Sequence, residues 1–538
     1  MDDLTPKQIA QRLEQLTELS VALGDGHDID LLLERILLVA KRMTHADGGT
    51  LYRPTADGSG LRFYLTLNDS LHIRRGGNGA AASDIAPVPL FDAAGEKNLA
   101  SVAAYAANLG CSVNIEDVYR ATEFNFSGMR QFDQQFGYHS QSFLTVPMRD
   151  HQGELLGVLQ LVNATDPDSG KIVAFNQTDQ RFIEALAAQA GVALTNQQLI
   201  AQLEQLLEAL VNLINIGLDE KSPYTGRHCQ LVPKLTMMLA DAAHAAEQGP
   251  LAQFRMSEAQ RHELWLAGLL HDCGKITTPV HVVDKATKLQ TLYDRIGLLD
   301  TRYEVLLRDA ELRALRGQLA GGDAAQLQAA LQAECAQLRA ERDFLRKANI
   351  GGEGMSPGDQ ERVRSIAQRR WVGPDGSEQP FLSEEEVENL TIRFGTLTEG
   401  ERKVINNHIV MTVKMLESLP WPKHLQNVPE YAGGHHERMD GKGYPRGLTG
   451  EQMSVPARVM AIADIFEALT ARDRPYKKGK MLSEALDILG KFSLNGHIDP
   501  ALFDIFIRQK VYLAFAAEHM DPRQIDAIDE SRIPGYTP

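Results

Sequence analysis

The segment His435-His436-Glu437-Arg438-Met439-Asp440-Gly441-Lys442-Gly443-Tyr444-Pro445 constrains this chain more than any other. Two adjacent imidazoles, a carboxylate and a Gly-Tyr-Pro turn have little reason to coincide in an ordinary loop. Imidazole and carboxylate are the side chains that hold divalent transition metals at neutral pH. Two glycines and a proline fix the backbone and let a ligand come close. Upstream, His271-Asp272-Cys273-Gly274-Lys275 closes an apolar run, Leu264 to Leu270. Donors so far apart in sequence hold one centre only if different helices bring them together. Together the two clusters suggest a metal-dependent hydrolase.

At 538 residues the chain is too long for one core, and usual domain sizes imply several units. A composition 43% hydrophobic and 23% charged is that of soluble globular protein. No segment is expected to approach the ~20 uninterrupted apolar residues of a membrane helix. Asp2 and Asp3 stand where a signal peptide would be basic. Cys111, Cys229, Cys273 and Cys335 show no paired spacing, which favours a reducing cytoplasm over a disulfide or Cys-zinc framework. A formal net charge of −16 speaks against a nucleic-acid polymer as partner. It is compatible with a small anionic ligand, because bound metals reverse the local field.

Up to about Asn163, strand-like runs at 51–52, 61–65, 142–146 and 155–162 alternate with turns, and amphipathic helices are expected near 6–23 and 29–45. From Thr178 to about Gly217 the pattern predicts a long helix, with Leu199, Leu203, Leu206, Leu210 and Leu213 at heptad spacing. It reads either as a dimerising signal helix or as a helix docked on its own domain. Between Thr301 and Lys347 a charged, Leu-rich helical hairpin breaks at Gly321-Gly322, with Leu306, Leu312, Leu315 and Leu319 facing Leu327, Leu331, Leu338 and Leu345. A glycine-rich loop and a polar helix ending near Trp371 follow. This block is either an arm for partner contact or a tolerated surface elaboration.

The candidate metal ligands are His228, His271, Asp272, His408, His435, His436 and Asp464. Asp464 interrupts the apolar run Val459 to Phe466, where an unpaired charge is costly. Singly, His408 or Asp464 has an ordinary structural explanation; the adjacent His435-His436 before its turn has a poorer one. His27, His151, His244, His262, His281, His424, His497 and His519 have no such context and are expected to be solvated.

In order, His228, the HDCGK run, His408, the HHERMDGKGYP run and Asp464 resemble the HD-GYP phosphodiesterases of the HD superfamily, over about 219–289 and 397–500. The resemblance implies an all-helical domain that hydrolyses cyclic di-GMP with two or three iron or manganese ions. It implies that His228, His271, Asp272 and Asp464 hold one ion, and that Asp272 bridges to a second held by His408, His435 and His436. Asp272 and Lys275 are then the catalytic pair, and Gly443, Tyr444, Pro445, Arg474 and Lys477 the substrate contacts. Trinuclear members carry a further carboxylate just before the first histidine. Here Lys221-Ser222-Pro223-Tyr224 stand there, so two ions are expected ahead of three. About a hundred residues also intervene between Lys288-Leu289 and the helix starting near Leu397.

Residues 10–195 resemble a GAF domain, through Leu159 to Asn163, Phe175, Asp179 and a closing helix. Ala164 and Gln180 replace the Lys and Glu of members that bind cyclic nucleotides, so a different small ligand, or a structural role, is expected. Cys111, His72 and His139 offer no haem or redox pattern. The expected whole is multidomain: an α+β GAF domain at 1–180, a coiled-coil-like linker helix at 181–218, and an all-α HD-GYP domain at 219–538 with a helical insertion at about 290–396. The expected protein is a cytoplasmic homodimer in which a GAF signal governs cleavage of cyclic di-GMP to pGpG or GMP. The rivals are a cyclic di-GMP receptor with little turnover and a hydrolase of other nucleotides.

Overall fold

This computed structural model describes residues 29–77, 85–351, 354–472 and 479–537, the side chains of 223–225 excepted. The helix expected at 6–23, His27, Arg474 and Lys477 lie outside the described residues. The chain divides into two compact units at Leu207.

In the first unit, α1 (Ile29–Thr44) leads into β1 (Ala46–Pro54), β2 (Gly60–Asn68), β3 (Ile73–Gly76) and β4 (Val88–Pro89). Then come α2 (Val102–Leu109), β5 (Val113–Ile115), α3 (Ser127–Phe136), β6 (Phe143–Arg149), β7 (Leu155–Thr165) and β8 (Ile172–Val173). One sheet runs β3-β2-β1-β7-β6-β5, with β4 on β2 and β8 on β7. Its pairings are antiparallel, and their register sets Leu51 opposite both Leu65 and Leu159. Because side chains alternate along a strand, these leucines share a face. Ile36, Leu37 and Ala40 of α1 cover it, with Ile183, Leu186 and Ala190 of the next helix. Tyr52 and Val158, one residue out of step, look the other way onto Ala103, Ala104 and Ala107 of α2. The expected strands at 51–52, 61–65 and 155–162 lie inside β1, β2 and β7, and the one at 142–146 overlaps β6 from Phe143.

α4 (Gln177–Lys221) is continuous for 45 residues. Leu199, Leu203, Leu206, Leu210 and Leu213 are 49–65% exposed, whereas Val211 and Leu218 are buried. The helix is therefore docked along one side and leaves its heptad seam open. By length and composition α4 also suffices to cross a membrane, with a stretch of mean hydropathy 1.3. It is not the uninterrupted apolar run considered above, because Gln202, Glu204, Gln205 and Glu208 interrupt it.

The second unit is helical: α5 (Pro223–His244), α6 (Glu258–Leu270), a 3-10 turn (Cys273–Thr277) and α7 (Val280–Val283) precede the insertion. After it come α12 (Glu399–Glu417), α13 (Val428–Gly433), α14 (Val455–Thr470), α15 (Leu482–Leu494), α16 (Pro500–Arg508) and α17 (Val511–His519). The insertion itself comprises α8 (Ile296–Leu319), α9 (Ala324–Asn349), α10 (Pro357–Ala367), the ribbon β9 (Arg370–Val372) and β10 (Glu378–Pro380), and α11 (Glu384–Leu390). It has its own core, in which Tyr303, Leu306 and Leu307 meet Leu338, Leu345, Val363, Ile366 and Phe381.

The hairpin forms, but its inner face differs from expectation. Leu312, Leu315 and Leu319 are exposed, and Ala310 and Ala314 are buried in their place. Small side chains let two helices approach closely, and a count of leucines cannot see that. Trp371 lies in the ribbon and not at a helix end.

Two buried lysines fasten this insertion to the rest of the unit. The Lys285 ammonium, 1% exposed, donates to Asn389 at 2.8 Å and to both oxygens of Glu401 at 2.8 and 2.7 Å. Glu401 also closes the capping box of α12 with Thr398. Lys288, whose ammonium burial pushes down to about 8, donates to the carbonyls of Leu390 and Ile392. Lys285→Met leaves Asn389 and Glu401 short of a buried partner, with an expected cost of about 2–4 kcal/mol. Urea denaturation of the variant beside wild type checks this; an unchanged midpoint contradicts it.

Candidate metal centre

Each candidate ligand sits where its helix end or apolar face puts it. α6 starts at a Ser257–Gln260 capping box, buries Leu264, Leu266, Ala267 and Leu270, and delivers His271 at its last turn, with Asp272 next. His408 lies on the buried side of α12. α13 stops at Gly433-Gly434 and presents His435 and His436. Asp464 and Glu467 are three residues apart on α14, hence on one face. His228 lies in the second turn of α5, which begins at Pro223.

The structure brings all seven expected ligands into one pocket. His228 and His271 reach Asp272 Oδ2 at 3.4 and 3.3 Å through their Nε2 atoms. Their distances to Asp464 Oδ1 are 3.0 and 3.9 Å. On the other side, His408 Nε2 lies 3.2 Å from Asp272 Oδ1 and 3.3 Å from His436 Nε2. Two groups of donors result, His228-His271-Asp272 and His408-His435-His436, each within 4.8 Å. Asp272 faces both, one oxygen to each. The His435 ring stands 4.9 Å from that of His271 and 4.1 Å from that of His436.

The polar groups behind these donors orient them. Nδ1 of His271, His408 and His435 meets the carbonyls of Gly268, Ile405 and Ala432, three residues back in each case. Nδ1 of His228 instead meets the Glu467 carboxylate. Such bonds fix the tautomer and turn Nε2 toward the pocket, as metal-ligating histidines require. Glu467 escaped the sequence reading, although the reasoning applied to Asp464, an acid inside an apolar helix, covers it equally. Glu467→Gln removes the charge behind His228, and an expected 10- to 100-fold loss of Mn2+ affinity follows. Chelator competition measures it, and wild-type affinity in the variant would contradict the role.

The electrostatics suit a cation. Burial would raise Asp272, but the Lys275 ammonium and His271 hold it well below the carboxylate range. Asp464 is likewise held well below that range by its His228 hydrogen bond, against the effect of burial. Burial, then the neighbouring His271, pushes His435 down to about 4. His436 is driven well down by burial and His435. His228 is raised despite burial, by Glu467 and the hydrogen bonds to Asp272 and Asp464. The ionised acids and the neutral His435 and His436 are in the forms that bind metals, whereas His228 has to give up its proton when an ion binds. Asp272 Oδ1 and His435 Nε2 are both buried with no hydrogen-bond partner. Such orphaned atoms are costly in a dry interior, and bound metal would satisfy both.

The remaining expected residues divide. Lys275 Nζ lies 2.6 Å from Asp272 Oδ2. The Tyr444 ring stacks on His436 with centroids 4.9 Å apart, and burial pushes its hydroxyl up to about 12. A Cβ on Gly443 would sit 2.5 Å from the Arg438 nitrogen, so the turn closes only with glycine there. Pro445 follows Tyr444 through a cis peptide bond. Glu437 is not among the donors: its carboxylate accepts the amides of Arg446 and Leu448 and shapes the loop. An open cavity of about 400 Å³ beside the centre is lined by His436, Tyr444, Asp464, Arg438, Lys442 and His497. His497, expected to be solvated, is stacked on Phe492 within that lining. The first unit has a separate cavity of about 410 Å³, lined by Tyr52, Phe63, Phe143, Gln160 and Val162 among others.

Comparison with known proteins agrees with this architecture. The GAF domain family matches residues 28–194, and HD domain families match 225–330 and 385–502. The 3'3'-cGAMP-specific phosphodiesterase 1 of Vibrio cholerae is 45% identical over 133 residues, 24% of this chain and 30% of that protein. A cyclic di-GMP phosphodiesterase of Pseudomonas aeruginosa is 40% identical over 114 residues, 21% and 26% of the two chains. The 3'3'-cGAMP-specific phosphodiesterase 3 of Vibrio cholerae is 39% identical over 109 residues, 20% and 23%. The chain thus spans less than a third of the length of these relatives. These matches give the chain a GAF domain ahead of an HD domain, and its His-His-Glu and Gly-Tyr-Pro elements lie within the second HD match.

Proposed function

We propose that the second unit hydrolyses a phosphodiester of a cyclic dinucleotide, cyclic di-GMP in the first place, at a centre for two divalent ions. The observation that carries this reading is the position of Asp272, with one oxygen on each histidine cluster. Iron or manganese fits a donor set of five imidazoles and two carboxylates. His228, His271, Asp272 and Asp464 would hold one ion, and Asp272, His408, His435 and His436 the other. Bound there, the pair supplies a nucleophile near neutral pH and neutralises charge on the phosphoryl group.

The chain's own residues do the rest. Lys275 keeps Asp272 ionised and adds positive charge beside the centre. Tyr444 stays protonated at neutral pH and can donate to a phosphate oxygen, held in place by its stack on His436. Arg438 and Lys442, both paired with Asp440, bring positive charge to the wall that an anionic ligand would meet, and His497, lowered by burial, adds a neutral imidazole beside them. A signal received at the first unit's cavity, and dimerisation through the open seam of α4, complete the reading as a regulated enzyme.

Two of the relatives described above are named for 3'3'-cGAMP, so that nucleotide is the second substrate to test. The assay is turnover of purified, Mn2+- or Fe2+-loaded protein on cyclic di-GMP, 3'3'-cGAMP, pGpG and other nucleotides, with products separated by chromatography. Linear product from a cyclic dinucleotide is expected. Tight binding without product would favour the receptor reading, and cleavage confined to non-cyclic nucleotides would overturn the substrate class.

A further inference from the structure

The turn that carries Asp272 and Lys275 is gripped from two sides. On one side Gly274 is pressed into α12. Its amide donates to Thr412 Oγ1 at 2.9 Å, and a Cβ placed on it would lie 2.0 Å from the His408 carbonyl oxygen. On the other side is the last residue of α4. The Lys221 ammonium donates to the carbonyls of Lys275 at 3.0 Å and Ile276 at 2.6 Å. Ser222, which follows and is buried, donates its hydroxyl to Asp284 Oδ1 at 2.7 Å, just past the same turn.

From this arrangement we infer that Lys221 is a positioning residue coupling the end of α4 to the metal centre; the inference rests on the proposed two-ion reading. An ammonium with three donors can hold two carbonyls at once. One of them belongs to Lys275, whose own ammonium lies on Asp272. A displacement of the last turn of α4 moves that carbonyl pair, and with it Asp272 relative to His408. Metal-ligand distances tolerate only about 0.2 Å, so a small shift in the turn changes affinity at both positions. The rigid contact of Gly274 with the His408 backbone makes the turn move against α12 as a body, since packed interiors do not deform freely. The result is a mechanical route by which α4 can set the competence of the centre.

The test uses the full chain with Lys221→Met, which keeps length and helix propensity but has no donor, and Lys221→Arg, which restores donors. Mn2+ affinity is measured by chelator competition, and amide hydrogen exchange is followed across residues 270–285. The expected result for Lys221→Met is a loss of about 10- to 100-fold in Mn2+ affinity, as for other groups behind metal ligands. Faster exchange confined to 273–278 should accompany it, and Lys221→Arg should recover both. Wild-type affinity in Lys221→Met, or no recovery in Lys221→Arg, would overturn the inference. So would exchange quickened throughout the second unit, which marks general destabilisation. A wild-type chain that binds Mn2+ but leaves every cyclic dinucleotide intact would defeat the proposed activity alone, because affinity and exchange need no turnover.

Discussion

Asp272→Ala is expected to lower cyclic dinucleotide turnover by about a thousandfold or more and to strip metal from both positions. The reason is geometric. Among the described residues Asp272 is the one with an oxygen toward each cluster, 3.3–3.4 Å from His228 and His271 and 3.2 Å from His408. Removing it leaves five imidazoles with Asp464, and Glu467 behind His228, to balance cationic charge, and takes from Lys275 its carboxylate partner. Asp272→Asn keeps the shape while removing the charge, so loss of metal in that variant too assigns the effect to charge. The measurements are kcat with saturating Mn2+ and metal content after gel filtration. Retention of both at wild-type levels in Asp272→Ala would remove the bridge from the account.

Gly274→Ala is expected to be nearly as damaging, for a steric reason. The added methyl would lie 2.0 Å from the His408 carbonyl oxygen and 2.5 Å from the Thr412 nitrogen. Both obstacles are backbone of α12, and no rotamer relieves them. Overpacking of this kind costs about 1–3 kcal/mol, and the backbone it displaces carries a ligand. Thermal unfolding and metal content should therefore fall together, with turnover below a tenth of wild type. A crystal structure or metal assay of the variant showing an undisturbed His408 would contradict the packing argument. Glycine here supplies space alone, since its backbone angle is not left-handed.

Much of this was legible in the sequence because ligand chemistry is written in residue type. Adjacent His435 and His436 before a Gly-Tyr-Pro turn, and His271-Asp272 at the end of an apolar helix, announce themselves without coordinates. Asp464 stood out because a charge in an apolar helix needs a partner. What escaped was whatever depends on a neighbour distant in sequence. Glu467 supports His228 across 239 residues; its apolar helix marks it, like Asp464, as an acid in need of a partner, but nothing local says which partner. His497 has no metal-like context, yet the end of α15 brings it to the cavity. The insertion's leucines misled because hairpin packing follows small residues such as Ala310 and Ala314 as much as large ones. Lys221, noted in the sequence only as not being a carboxylate, acquires meaning from two carbonyls more than fifty residues away.

α4 shows the same division. Its heptad leucines predict a helix with an apolar seam, and among the described residues that seam is open. Whether a given leucine is buried depends on what the other face of the helix meets, and Val211 and Leu218 take that part. Composition cannot separate such a seam from an apolar span, because both are built from leucine and isoleucine.

The most direct test of the account is the number of ions held per chain. Protein loaded with Mn2+, freed of excess metal by gel filtration and analysed by elemental mass spectrometry alongside electron paramagnetic resonance should contain two Mn2+ per chain. Their spectrum should show magnetic coupling that disappears in Asp272→Ala. One ion or none, or two ions that stay uncoupled in the wild-type chain, would contradict a shared carboxylate at the heart of this site.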